Sequence, residues 1–468
     1  MEPLRGEITV EDAQRLGLIG KRAGDVIVRN EGHWSEERQD VVEVLPAIVH
    51  AGRDVTFNFN QRFPSEPSFA TSVHVGEMES PRDLAPLLGS LVERRSTAGE
   101  VFDLYRQRTL PLGAVVRMLG GSIPEVMDHA SRDPVVGGPL PVEWSDEAGW
   151  TSSRNNAANA TQVILTRSAL HTASELDIRD ALVAGYTFTA PRSLQTEMRQ
   201  ELREAEQYVR DGQRTMMATD QGFGMVELEA GSAPLQARAE ALRSLLGWVN
   251  DHVSIEPRPL ELVRAAGSRQ DQERDFVGHS SYDGLALARH HGFAIYADDL
   301  GLRRGAIEGV RPPSFSTVAA LYALTERGLI DQRLRDHAVV TLTVRHYVSI
   351  RPTPEILMAA LSRTPALQRS ELGTVFGLLG SGAIRADEAA SVVAQTLRAA
   401  SIAPLHVASP EVVTELALDA MTSRWPATLS ATLVVRAATT TLTLLPQAME
   451  AVRNTCAEYV VRKVSKQL

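Results

Sequence analysis

Cysteine is almost missing: Cys456 stands alone in 468 residues. One thiol cannot close an intrachain disulfide or build a cysteine-based zinc cluster, and such usage fits a reducing compartment. Lysine is nearly as scarce, since of 48 basic residues only Lys21, Lys463 and Lys466 are lysines. So general an arginine bias reflects genome composition rather than selection for phosphate binding, although arginine suits phosphate by bidentate pairing. Positive charge is not in excess, because the formal net charge is −10. No overall field draws the chain to nucleic acid, and only a local patch would do so. Long apolar runs are absent as well. The most apolar late stretch, "ATLSATLVVRAATTTLTLLP", is broken by Arg436 and by threonines, too polar to span a bilayer. The opening "MEPLRGEITVEDAQ" has no apolar h-region, so no secretory signal and a cytoplasmic, bacterial setting are expected.

What is present is ordinary globular material, 43% hydrophobic and 23% charged, enough for a sizeable core. The length predicts roughly two to four domains. Residues 1–135 read as mostly helical with one short β element. There "DVTFNFN" puts Val55, Phe57 and Phe59 on one face of a strand, and Leu84, Leu87, Leu88, Leu91 and Val92 recur at helix spacing. Residues 136–160 fall in a Pro-, Gly-, Ser- and Asn-rich stretch without period and read as a linker. Residues 161–365 alternate short strands with helices, and 366–468 read as helical.

The middle region carries the informative pattern. "TQVILT", "YTFTA" and "FAIYA" are short, apolar, β-rich runs, each followed by a helical stretch. Such alternation argues for a parallel sheet flanked by helices. Pro191 fits the first turn of the long helix carrying Leu194, Met198, Leu202 and Val209, and "RDGQRTMMATDQGFGMVELEAGSAP" has room for a hairpin. Asp283 reads as the residue before the helix "GLALARHH", which Gly292 stops.

In open α/β sheets ligands collect at the carboxyl ends of the strands. Asp298 and Asp299 follow "FAIYA" there, Glu197 sits one turn into the helix after "YTFTA", and Asp283 starts the helix feeding the third strand. Clustered carboxylates raise one another's pKa unless a cation neutralises them, and hard oxygen ligands select Mg²⁺ or Mn²⁺. Each residue also has a structural reading. Asp283 and Asp299 suit helix N-caps, Glu197 a solvated helix face, and only Asp298 has no local explanation.

The stretch "VILTRSALHTASEL…YTFTAPRSLQTEM…SYDGLALARHHGFAIYADDLGLRRGAIEGVRPPSFSTVAALYALTERGLI", within about residues 160–350, resembles a PIN domain (PilT N-terminus-like). That resemblance implies a parallel sheet between helices, an acidic Mg²⁺ or Mn²⁺ pocket and RNA as substrate. Carried over residue by residue, it implies metal ligation by Glu197, Asp283 and Asp298. Asp299 would help position metal or water. Thr317, with Ser316 beside it, would orient the site, and Arg303 and Arg304 would meet substrate phosphate. The position of the first-strand aspartate is Thr166, whose hydroxyl lacks a carboxylate's charge; Ser168, Glu175 and Asp177 are near but not matching. Two functions are therefore expected: a metal-dependent endoribonuclease, or a catalytically impaired PIN-like module that binds or regulates. The flanking helical regions would serve a protein partner or a second copy of the chain.

Other readings are weaker. A receiver domain needs a strand-end lysine, and none lies between Lys21 and Lys463. A haloacid-dehalogenase-type site needs D-x-D, whereas "DDL" has its acids adjacent. "GSGAIR" lacks the third glycine of a dinucleotide fingerprint. Residues 110–133 have the outline of a helix-turn-helix around Gly120 and Gly121, yet Glu125 and Asp128 would face phosphate. His290 and His291 suit a helix C-terminus, where the dipole favours them.

Overall fold

The computed structural model describes residue 14 and residues 18–22, 25–29, 37–41, 98–107, 110–132, 139–219, 222–259, 268–305, 311–363, 366–403 and 408–465. The expected strand around Val55 and the helical run from Leu84 to Val92 lie outside the described residues. Two compact units divide the chain, Met1–Leu87 and Leu88–Leu468. In the first, β1 (Val26–Arg29) pairs antiparallel with β2 (Glu37–Asp40).

The second unit begins with helical residues 98–106, then α1 (Leu112–Leu119) and α2 (Ile123–Arg132). The stretch expected to be an irregular linker is largely structured: β3 (Leu140–Pro141) is followed by α3 (Glu147–Asn159), capped by Asp146. Trp150, Ser153 and Ala157 of α3 are buried, because they recur at helix spacing among residues too polar to signal it.

Next come β4 (Gln162–Leu165), α4 (Arg167–Glu175), α5 (Arg179–Gly185), β5 (Thr187–Pro191) and α6 (Arg192–Asp211). Pro191 ends the strand and caps α6 rather than starting its first turn. The hairpin β6 (Gln213–Thr219) and β7 (Gly222–Leu228) leads to α7 (Ala233–His252) and β8 (Val253–Glu256). Then α8 (Ser268–Val277), α9 (His279–His291) and β9 (Ala294–Tyr296) complete the central units. Gly292 closes α9 with φ 72°, left-handed backbone that glycine adopts without steric cost. After β9 follow α10 (Leu300–Arg303), β10 (Ser314–Phe315), α11 (Thr317–Glu326), α12 (Gln332–Val344) and β11 (Tyr347–Val348). The remainder is helical, from Pro354–Leu361 to Pro446–Ser465. No helix among the described residues is long and apolar enough to cross a membrane.

Five strands form one parallel sheet in the order β10-β9-β4-β5-β8. Helices cover both faces, so its strands are apolar on both sides. Ile164, Ile295 and Ala297 pack against Tyr282, Leu285 and Ala286 of α9. The alternate residues Val163, Leu165 and Tyr296 join Phe188 and Phe315 in the larger core on the other face. This two-residue period is what a strand demands.

Helix α1 is seated tightly on this body. A Cβ on Gly113 would meet the Val277 carbonyl oxygen at 1.7 Å, and one on Gly301 would meet the Leu110 carbonyl oxygen at 2.1 Å. These are backbone atoms that cannot swing aside. Gly113→Ala is expected to destabilise the chain by about 1–3 kcal/mol, the usual cost of overpacking, readable by urea unfolding. Stability equal to the parent's would mean α1 is not held this closely.

Candidate active site

The strand order reverses between β4 and β9, so a crevice belongs at the carboxyl ends of these two strands. Thr166 follows β4 there, and Asp298 and Asp299 follow β9. All three are buried, with Asp298 and Asp299 each 1% exposed.

Helix N-termini take up both aspartates. Asp298 accepts the Thr317 backbone N–H at 2.7 Å and the Thr317 hydroxyl, so it caps the start of α11. Asp299 is the N-cap of α10, accepting Leu302 N–H at 3.1 Å, and its second oxygen accepts Leu112 N–H of α1 at 2.7 Å. First-turn N–H groups lack intrahelical partners and carry the positive end of the helix dipole, which suits an anion. Burial nonetheless pushes both carboxyls upward, Asp299 to about 6, against the hydrogen bonds that favour the charged form. Around the pair lie three buried phenols. Tyr296 OH bonds the Thr317 hydroxyl at 2.8 Å, Tyr347 OH bonds Thr172 at 3.2 Å, and Tyr105 OH is buried with no hydrogen-bond partner among the described residues. Burial above all, and after it the charge of Asp299, pushes the Tyr105 phenol well above its ordinary pKa.

Thr166 is the N-cap of α4, and its hydroxyl donates to the Tyr296 carbonyl at 2.9 Å. The next residue, Arg167, forms a bidentate ion pair with Glu201 of α6, at 2.6 and 3.2 Å. Glu197, one turn earlier on α6, accepts the Ser280 backbone N–H at 3.0 Å and so caps α9; burial raises its carboxyl too.

Asp283 departs from expectation. It does not precede its helix but lies inside α9, which begins at His279 after Gly278. Arg274 of α8 grips it through Nε and Nη2, both at 2.8 Å, and the Ser193 hydroxyl donates to it at 2.7 Å.

Arg303 is also elsewhere than a substrate arginine should be. It is 1% exposed, paired with the buried Glu143 at 3.0 Å, and bonded to the Val142 carbonyl at 2.7 Å and the Ser153 hydroxyl at 2.8 Å. Glu143 also accepts the Ser316 hydroxyl at 2.5 Å. Burial leaves no face of Arg303 for phosphate. Arg304 is exposed, its guanidinium 5.7 Å from the centre of the Trp144 ring. His291 bonds Glu256 at 2.8 Å. Helix α2 turns Val126, Met127 and Ala130 into the core rather than offering them to a groove.

Sequence reasoning missed Arg274, Arg167, Glu143 and Tyr105. "TRS", an arginine directly after the threonine in the first acid's place, was the one available signal.

This donor set does not fit Mg²⁺ or Mn²⁺. Both oxygens of Asp298, Asp299 and Asp283 are engaged by N–H or O–H donors, and Arg274 already brings a positive charge. Among the described residues no three His, Cys, Asp or Glu side chains stand together as a metal site requires.

Two outcomes follow. Thr166→Asp should cost about 1–3 kcal/mol, because a carboxylate cannot donate to the Tyr296 carbonyl, which keeps only the backbone N–H of residue 166, and is itself buried without a donor to replace that bond. Denaturant titration measures this, and a stabilised variant would contradict the hydrogen bond. The second concerns pH. The carboxyl of Asp299 titrates near 6 in the fold and near 3.8 when free, so the folded state binds the proton more tightly. The stability this adds is complete below pH ~4 and is lost as pH rises through ~6, by about 3 kcal/mol. The stability difference between the parent and Asp299→Asn should therefore shift in the parent's favour as pH falls from 7.5 to 4.5. A difference independent of pH would refute the raised value.

Residues 164–306 match the family model described as the PIN domain associated with the TPR-GreAB-C-PIN system. No curated protein and no solved structure matches the chain. The match runs from β4 past α10, through the strands that build the switch point. This part of the chain is thus a PIN-like, nuclease-type domain.

Proposed function

We propose that this PIN-like domain works as a binding or regulatory module with its nuclease chemistry impaired. The bidentate pairing of Arg274 with Asp283 carries the reading, because it places a fixed cation where the resemblance puts a metal ligand. Thr166 supports it from the opposite wall, as a hydroxyl spent on the Tyr296 carbonyl. RNA remains the partner that the domain type implies, and the helical flanks offer surface to a protein or to a second copy. A cytoplasmic setting accords with the lone buried thiol, Cys456.

A second reading is favoured by one observation: Asp298 stands at the switch point, where α/β sheets bind ligands. In that reading the chain is a metal-dependent endoribonuclease, with Asp298, Asp283 and Glu197 holding Mg²⁺ or Mn²⁺. Asp299 and Thr317 would support them, and exposed Arg304 would be the phosphate contact.

Cleavage of a generic single-stranded RNA, with and without Mn²⁺, separates the two. Wild type is expected to show no Mn²⁺-dependent cleavage and no rise in melting temperature with Mn²⁺, since only a site in the folded state transmits such a rise. Mn²⁺-dependent cleavage that Asp298→Asn abolishes would establish the nuclease instead.

A further inference from the structure

Helix α6 divides its charged residues between two sides. At about 100° per residue, Arg192, Arg199, Arg203 and Arg210 fall within about 40° of one another, away from the buried Leu194, Met198 and Ala205. All four arginines are exposed, and none of their guanidiniums has a partner among the described residues. The acids of the helix are engaged elsewhere. Glu197 and Glu201 turn inward to the Ser280 N–H and to Arg167, and Glu204 accepts from Gln200 at 3.0 Å. Asp211 falls on the side of Glu204, about 100° from the line of arginines. Glu206 borders that line, but Arg243 of α7 neutralises it at 2.8 Å. A shallow depression lined by Thr196, Arg199, Leu202, Arg203 and Glu206 lies at its middle.

A row of like charges needs a reason, since i,i+4 pairs such as Arg199 and Arg203 weaken a helix. The row is about 27 Å long at 1.5 Å per residue, and successive members are about 6 to 10 Å apart. Neighbours thus lie about one Debye length from each other, and their fields add on a chain whose net charge is −10. A single small anion would cover only part of the row. A linear polyanion covers all of it, and guanidiniums grip phosphate through paired hydrogen bonds. One strand can follow a straight row, whereas each strand of a duplex winds away from it. Tyr208, the sole aromatic of α6, lies on the other side, so the row offers no ring for base stacking.

We infer that the Arg192, Arg199, Arg203 and Arg210 face of α6 docks the sugar-phosphate backbone of single-stranded nucleic acid, by charge and without regard to base. It is separate from the acids that α6 turns toward α9. This deepens the binding-module reading, and rests on it, by giving that module a surface.

The test follows fluorescence anisotropy of labelled oligouridine and oligothymidine with the full chain in EDTA. Four phosphate contacts predict a slope of log affinity against log salt near −3, or roughly fiftyfold weakening from about 50 to 200 mM KCl. Arg199→Gln/Arg203→Gln should weaken binding about tenfold at low salt and flatten the slope by about 1.4. Arg199→Lys/Arg203→Lys keeps both charges and should bind nearly as wild type does, which separates lost charge from lost fold. Arg436→Gln/Arg453→Gln removes two exposed arginines of the C-terminal helices and should change nothing. A wild type that does not bind, a glutamine pair on α6 that binds as wild type, or an equal loss in the C-terminal pair overturns the inference. So does tighter binding of a duplex, or of poly-glutamate, which would mark an acidic protein as the partner. Each of these leaves the impaired-nuclease reading intact. Cleavage of the probe once Mn²⁺ replaces EDTA overturns that reading instead, and leaves the docking face standing.

Discussion

Two carboxylates side by side and out of water, Asp298 and Asp299, set the terms for the rest of this domain. The chain has no lysine between Lys21 and Lys463 to set beside them. Instead the chain directs three helix N-termini at them, those of α11, α10 and α1. Each helix start has N–H groups that must find acceptors, and each aspartate has lone pairs that must find donors, so the two needs cancel. Because α1 comes from far upstream in the chain, this local solution also fixes a long-range contact. The segment before the PIN-like region is thereby part of how the acid pair is tolerated.

The same economy extends across the pocket. Glu197 caps α9, Asp283 is gripped by Arg274, Glu201 by Arg167, and Glu143 by Arg303. Breaking any of these buried pairs strands a charge, which costs far more than the intact pair contributes. Desolvation remains the larger influence on Asp298 and Asp299, whose carboxyls stay above their ordinary range despite every donor. The acids are therefore held by geometry at an electrostatic cost. Such an arrangement specifies which helices meet more than it adds to stability.

How much of this was legible in the sequence depends on range. β4, β5 and β9 were readable because buried parallel strands are short apolar runs, and Asp299 was readable as a cap because its helix follows at once. Asp283 was misplaced: "GLALARHH" is apolar enough to look like the helix start, while the true first turn, "HSSY", carries no periodic signal. Helix α3 hid in a polar stretch because its buried face is made of Trp150, Ser153 and Ala157, small or lone apolar residues. The partners Arg274 and Glu143 were invisible for a different reason. Nothing in a one-dimensional pattern says that an arginine nine residues before Asp283 folds back onto it, or that a glutamate 160 residues before Arg303 is its counter-ion.

Thr166 shows how one side chain at the switch point ties the neighbouring strand ends together. A carboxylate there would face Asp298 across the gap between β4 and β9, and the two would need a cation between them. A threonine hydroxyl can donate as well as accept. It bonds the Tyr296 carbonyl on β9 while capping α4, and Ser168 two residues on accepts the Asp298 N–H at 3.2 Å. Two hydroxyls thus stitch the ends of β4 and β9 together. Asp298 turns its carboxylate toward the start of α11, and Glu197, Glu201 and Asp283 find their donors within the chain. The threonine after β4 and the arginines beside the other acids thus meet one requirement, hydrogen-bond donors for groups held out of water.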